Sequence, residues 1–205
     1  MSGSLLSTTT DPAVERIYDN IQMTLPAVTM PVVERALWNT IQEFCIRSLY
    51  FRSKVYWAMA PGVSTVDFNP FEVNVLVVWV LHVHGLTRWG ITPPAVLTDY
   101  MTPTSPREGW AIVALAPDPS SFAQFRSSTW PELLTTWFET MLDGSLFRLY
   151  GMPAKPWSSP DLAKYHGTRF RQGLNRARDI AERLHSSQQS PARAYPYFAA
   201  GRRKN

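Results

Sequence analysis

The chain has 205 residues, of which 45% are apolar, with eight Trp and ten Phe and a formal net charge of +4. That is apolar bulk enough for one globular core, and a net charge too modest to imply nucleic acid on its own. The single cysteine, Cys45, excludes an internal disulfide framework, and the most apolar run, Val73–Val83, is too short to cross a bilayer, so no membrane partner is expected.

Met1–Thr10 is small and polar, without the basic stretch and apolar core of a signal peptide, and reads as a flexible N-terminus of a cytosolically made protein. A helix is predicted over 11–25, capped by Asp11 with Pro12 in its first turn, with Val14, Ile17, Tyr18 and Ile21 at helical spacing. A second spans 29–53, from Thr29 and Pro31, with Val33, Ala36, Leu37, Thr40, Ile41, Phe44, Cys45 and Ser48 on one stripe. Cys45 on that stripe reads as a small buried hydrophobe rather than a nucleophile.

Residues 54–127 change to Val, Trp, Tyr, Phe and Thr, broken by Pro61-Gly62 and Asn69-Pro70, the composition of strands and turns. Val73–Val83 is the strongest strand, apolar on both faces, and Trp110–Leu115 the second, with Gly85–Pro106 an ordered loop between them. A third helix over 129–150, capped by Ser128 or Thr129, presents Leu134, Trp137, Phe138, Met141, Leu142, Ser145, Leu146 and Leu149. The turn Met152–Pro160 leads to a fourth over 160–184, capped by Ser158 or Ser159. Its narrow stripe of Ala163, Gly167, Phe170, Leu174, Ala177, Ala181 and Leu184 admits a close helix neighbour. Residues 185–205 show no periodicity, and Pro191 and Pro196 favour an extended tail. The fold class predicted is α+β: a bundle of about four α-helices, a small inserted antiparallel sheet and an extended C-terminal tail.

Charge is unevenly spread. Lys164–Asn205 carries ten Lys and Arg against two Asp and Glu, whereas the first 163 residues carry ten basic and fourteen acidic residues. A basic end suits an acidic surface, a phosphate backbone or the acidic part of a neighbouring copy. On the fourth helix Arg169, Arg171, Arg176, Arg178 and Arg183 can line a channel or contact a subunit. The latter is favoured for most of them, because DNA held tightly could not leave. His82-Val83-His84 places two imidazoles on one strand face, but nothing in the sequence completes a metal site. The pairs Glu34/Glu43 and Glu132/Glu139 describe helix surfaces rather than a glycosidase dyad, and there is no nucleotide-binding or nucleophile-elbow motif. No enzyme activity, metal or cofactor is expected. Trp157 reads as a staple of its turn, while Trp79, Trp89 and Trp110 are candidates for core or interface.

Two stretches resemble one family. Leu25-Pro26, Ala36-Leu37 and Glu43-Phe44-Cys45 are similar to the N-terminal signature of the head-to-tail adaptors (neck, connector or head-completion proteins) of tailed phages. Met152-Pro153-Ala154-Lys155-Pro156-Trp157-Ser158-Ser159-Pro160-Asp161-Leu162-Ala163, followed by Tyr165, Phe170 and Ala177-Arg178, resembles a second signature of that family. Residues 66–127 are a poorer match to the family.

The resemblance implies a structural virion protein at the head–tail junction. It would form a ring, usually of twelve copies, between the portal and a downstream tail or nozzle protein, prolonging the channel for genomic double-stranded DNA with only transient, non-specific contact. It also implies that the C-terminal segment docks on the portal. Tyr195, Tyr197 and Phe198 would be the anchors, with Arg193, Arg202, Arg203 and Lys204 pairing with an acidic partner or facing DNA. The alternatives are another tail or neck component, a tail terminator or a tube protein, and a DNA-binding module.

Overall fold

A computed structural model describes residues 12–69, 75–93, 95–101, 103–124 and 131–186. The expected flexible N-terminus, the caps Asp11, Ser128 and Thr129, and the tail after Ser186 lie outside the described residues. The elements in chain order are α1 (Pro12–Thr24), α2 (Met30–Ser48), β1 (Arg52–Met59), β2 (Thr65–Asp67), β3 (Val75–His84), β4 (Trp89–Thr92), β5 (Val96–Asp99) and β6 (Arg107–Pro117). A 3₁₀ turn (Pro119–Gln124), α3 (Pro131–Thr136), α4 (Phe138–Tyr150) and α5 (Pro160–Ser186) follow. The class is mixed helix and sheet, with five helices and two three-stranded antiparallel sheets among the described residues.

Two cores result. The helical core joins α1, α2, α3, α4 and α5 through Ile17, Leu37, Phe44, Leu134, Met141, Phe170 and Leu174, and it includes Ala116 at the end of β6. Cys45 belongs to it, fully buried, and burial pushes its thiol up to about 12, so it carries no nucleophile at neutral pH. The predicted stripe on α5 packs as expected, with Ala163, Phe170, Leu174, Ala177 and Ala181 buried. Close approach of the helices is enforced by glycines. A Cβ on Gly144 would clash with Thr40 of α2 and come within 2.8 Å of the Phe170 ring of α5, and one on Gly173 would clash with Thr140 of α4.

Several boundaries differ from the sequence expectation. The second helix ends at Ser48 rather than residue 53. Leu49 turns left-handed at φ 52° with its N–H on the Cys45 carbonyl, and the Ser48 hydroxyl accepts from the Tyr50 N–H. Phe51 then accepts from the Leu115 N–H, so the sheet starts where the helix was expected to continue. Thr29 makes no side-chain cap; its carbonyl accepts the first helical bonds from Val32 and Val33. The third helix is interrupted at Trp137 (φ −112°, ψ 27°), whose indole lies 5.4 Å from both Phe44 and Tyr50. At the start of α5 the capping residue is Ser159, whose carbonyl accepts from Ala163. Trp157 packs, partly buried, against the helical core.

One inserted sheet was expected, and two form. The order is β1-β6-β3 in the first and β2-β5-β4 in the second, all antiparallel. The predicted loop 85–106 contains β4 and β5, and its strand content was hidden by its Thr and Pro. Two register shifts in β3 rotate its side chains so that Val77, Val80 and Val83 are buried at every third position, while the residues between are half-buried. Continuous burial on both faces is therefore not seen. Trp57, Met59, Val80, Ala111 and Val113 of the first sheet pack with Leu97 of the second and with Phe68, which follows β2, to make the other core.

Candidate interface along helix five

The 27-residue α5 sorts its arginines by their seven-residue spacing. At 3.6 residues per turn, residues seven apart fall nearly in line, about 10.5 Å apart along the axis. Arg169, Arg176 and Arg183 form one row and Arg171 and Arg178 another, on opposite flanks of the buried stripe, and all five are exposed. The single arginine face expected from the sequence is therefore two rows with different neighbours.

Arg169 and Arg176 of the first row border an open cleft of about 720 Å³ between α1, α4 and α5, which Arg16, Trp137, Phe138 and Glu139 also line. Arg16 lies 4.3 Å above the Phe138 ring. Arg169 is committed: its Nε donates to Asp143 Oδ2 at 2.8 Å and its Nη1 to the Tyr165 hydroxyl at 3.1 Å. Those bonds, Tyr165 first and then Asp143, hold its guanidinium protonated above the usual arginine range. Asp143 is buried and also meets His166 Nδ1 at 2.8 Å, while Tyr150 stacks on His166 at 5.6 Å and 7°. This cluster pins α5 onto α4, and Arg176 lines the cleft with Arg16 and Arg169.

The second row meets α2. Arg171 and Arg178 line a pocket of about 230 Å³ with Arg47, Leu174 and Asn175. Arg171 Nε donates to the Gly167 carbonyl at 3.1 Å, and Arg178 Nε to Glu182 at 2.9 Å. Behind them Glu43 accepts from Arg47 at 2.6 Å and from Arg148 of α4, whose Nη2 also reaches the Asn39 carbonyl. Burial pushes the Glu43 carboxyl up, but the bonds from Arg148 and Arg47 outweigh it and hold it below the ordinary range.

A folded-state pKa depressed in this way gives stability that is present above the unfolded value of 4.5 and lost as pH falls through the folded value. Glu43→Gln is expected to cost about 1–2 kcal/mol at pH 7. In urea melts against pH, the difference from wild type should narrow below pH 4.5; a difference that stays constant down to pH 3 contradicts the ion pair.

The two histidines flank an aromatic cluster. On the half-open face of the first sheet, Trp110 is stacked by His84 at 5.1 Å and 4°, touched by His82 at 5.3 Å, and approached by Lys54 Nζ at 4.6 Å. Burial, then the neighbouring His84, lowers the His82 pKa. Tyr56 beside them is 75% exposed, and Trp79, Trp89 and Trp110 are half-buried. Among the described residues no three His, Cys, Asp or Glu side chains come together as a metal site.

The tail residues Arg193, Tyr195, Tyr197, Phe198, Arg202, Arg203 and Lys204 lie outside the described residues. Sequence reasoning missed Arg148, Asp143 and His166, whose partners lie 23 to 109 positions away along the chain, and Arg47, which pairs with Glu43 four positions before it. The spacing of Tyr165, His166 and Arg169 within one turn of α5 was a local trace of the Asp143 cluster. Among the described residues no helix is long and apolar enough to cross a membrane. No protein-family model matches the chain, and no curated protein shows significant similarity to it.

Proposed function

We propose that this chain is a head-to-tail adaptor of a tailed phage, a structural protein that forms a ring of twelve copies between portal and tail and continues the DNA channel. The observation that carries the reading is that the two stretches resembling adaptors, far apart in sequence, converge in one core. Leu25, Val28, Ala36, Leu37, Phe44 and Cys45 from the first share the helical core with Ala163, Phe170 and Ala177 from the second, and Met152 and Trp157 pack against it. The reading takes α3 and α4 together as the helix expected over 129–150, which brings the five helices described to the four it expects. A tube or terminator protein is built mainly on sheet, whereas the larger core here is helical.

In this reading the α1/α4/α5 cleft is a subunit contact. It combines Trp137, Phe138, Ile180 and Tyr50 with Arg16, Glu139 and Arg176, the mixture of aromatic bulk and arginine that protein interfaces favour. The tail after α5 docks on the portal, and the downstream tail protein binds the opposite side of the ring. The test is co-sedimentation with isolated portal rings of the same virion. The adaptor reading expects the chain to pellet with portal at saturating, fixed stoichiometry; a chain that stays in the supernatant at all ratios refutes it.

A further inference from the structure

The two most exposed large apolar side chains among the described residues are Met23, at 78%, and Tyr56, at 75%. Tyr56 belongs to the outer face of the first sheet. The strand registers set Tyr56, Trp110 and His84 in one row across β1, β6 and β3, and Lys54, Ile112 and His82 in the next. Trp57, Ala111 and Val83 of the same strands are buried in the sheet core, so these two rows face away from it. His84 stacks on Trp110, and the Lys54 ammonium lies 5.2 Å from the Tyr56 ring and 4.6 Å from the Trp110 ring. Among the described residues no carboxylate pairs with Lys54. Glu108, opposite Ala58, is exposed one row further on, at the margin of the patch.

Met23 belongs to α1. Glu15, Asp19 and Met23 follow at intervals of four, which lines them up along one exposed edge, about 6 Å apart. Neither carboxylate has a partner among the described residues. The other side of α1, with Val14, Ile17 and Ile21, is buried in the helical core, and Arg16 beside the acidic edge is turned onto the Phe138 ring. That core reaches β6 at Ala116, six residues and about 20 Å along the strand from Trp110. The acidic edge of α1 and the aromatic face of the sheet therefore lie apart within one copy.

The two faces match. One offers two free carboxylates and a flexible thioether. The other offers an unpaired ammonium, two imidazoles and the rings of Tyr56 and Trp110, against which methionine sulfur packs well. Tyr and Trp are favoured anchors of protein interfaces, and α1 already borders the cleft read as a subunit contact. A contact between two different surfaces of the same chain is head-to-tail, the kind that closes into rings.

We infer that the outer face of the first sheet, Tyr56, Trp110 and His84 with Lys54 and His82, receives the Glu15/Asp19/Met23 edge of α1 from a second copy. That this contact closes the ring beneath a portal rests on the adaptor reading; the contact between copies does not.

The experiment joins the two faces covalently in the full-length chain. Met23→Cys with Tyr56→Cys, oxidised with diamide in the presence and absence of portal rings, should give a ladder of disulfide-linked species beyond the dimer. Cys45 is fully buried and does not compete. The control, Met23→Cys with Tyr100→Cys, places the second thiol at a site of similar exposure on the second sheet and should give no ladder. Sedimentation velocity over a concentration series supplies a second readout. Glu15→Lys with Asp19→Lys should weaken assembly at least roughly tenfold, as should Lys54→Glu with His84→Glu, and the four changes together should restore it to within about threefold.

No ladder with or without portal, a ladder equally strong in the control, or no recovery in the fourfold variant overturns the contact. If the chain seats on portal at fixed stoichiometry and still gives no ladder, the contact fails while the adaptor reading stands. If the ladder forms in a chain that never pellets with portal, the contact stands and the adaptor reading fails alone.

Discussion

Phe170→Ala is expected to destabilise the protein by about 3–5 kcal/mol, with the melting temperature falling by roughly 6–20 °C. The ring is 1% exposed and lies where α2, α4 and α5 meet. Gly144 of α4 is there because a Cβ would come within 2.8 Å of this ring, so the α4 backbone already rests against it. The Arg148 guanidinium, held by Glu43 and the Asn39 carbonyl, sits 5.9 Å from the ring centre and restricts collapse on the other side. A cavity bounded by a helix backbone and a tethered arginine relaxes little, which places the loss in the upper part of the large-to-small range. Phe170→Leu retains most of the volume and should recover more than half of that stability. A loss below about 1 kcal/mol for the alanine variant would mean that α5 does not dock on α4 as described.

Removing Gln189–Asn205 is expected to abolish attachment to portal while leaving the fold intact. The helical core closes on residues between Val14 and Ala177, and Ala181 is the last buried position of α5 among the described residues. None of the deleted residues continues that stripe. They carry instead three aromatic anchors, Tyr195, Tyr197 and Phe198, and the cations Arg193, Arg202, Arg203 and Lys204. The truncated chain should melt within about 2 °C of wild type. Its fraction pelleting with portal rings should fall to background. Full stoichiometric attachment of the truncated chain refutes tail docking, and a collapse of the melt shows that the tail belongs to the core.

The helical core was legible because its signal is local. The stripes on α1, α2 and α5 repeat at helical spacing, and Val14, Leu37, Phe44, Phe170 and Ala177 are buried where that spacing puts them. The small residues of α5 correctly announced a close neighbour. Where helices end was less legible. Leu49 adopts a left-handed conformation that leucine seldom takes, imposed by the start of β1 and by Ser48, and Trp137 breaks α3 from α4 where its indole meets Phe44 and Tyr50. Those are tertiary contacts across many residues.

The second sheet was missed because four-residue strands such as β4 and β5 are too short to show alternation against Thr, Pro and Gly. Of the candidate site, the arginines of α5 were visible, and their seven-residue spacing contained the division into two rows. What divides them chemically did not lie on α5. Asp143 claims Arg169, and Arg47 joins Arg171 and Arg178, through contacts that only the folded chain makes.

The central claim is a ring seated on a portal, and electron microscopy of the full-length chain mixed with portal rings of the same virion tests it most directly. The account predicts averaged images in which a second ring of twelve subunits sits coaxially beneath the portal, with an open central channel and density reaching from each subunit into the portal. Portal rings without added density at saturating chain concentration, or the chain bound as scattered single copies without a closed ring, would contradict it.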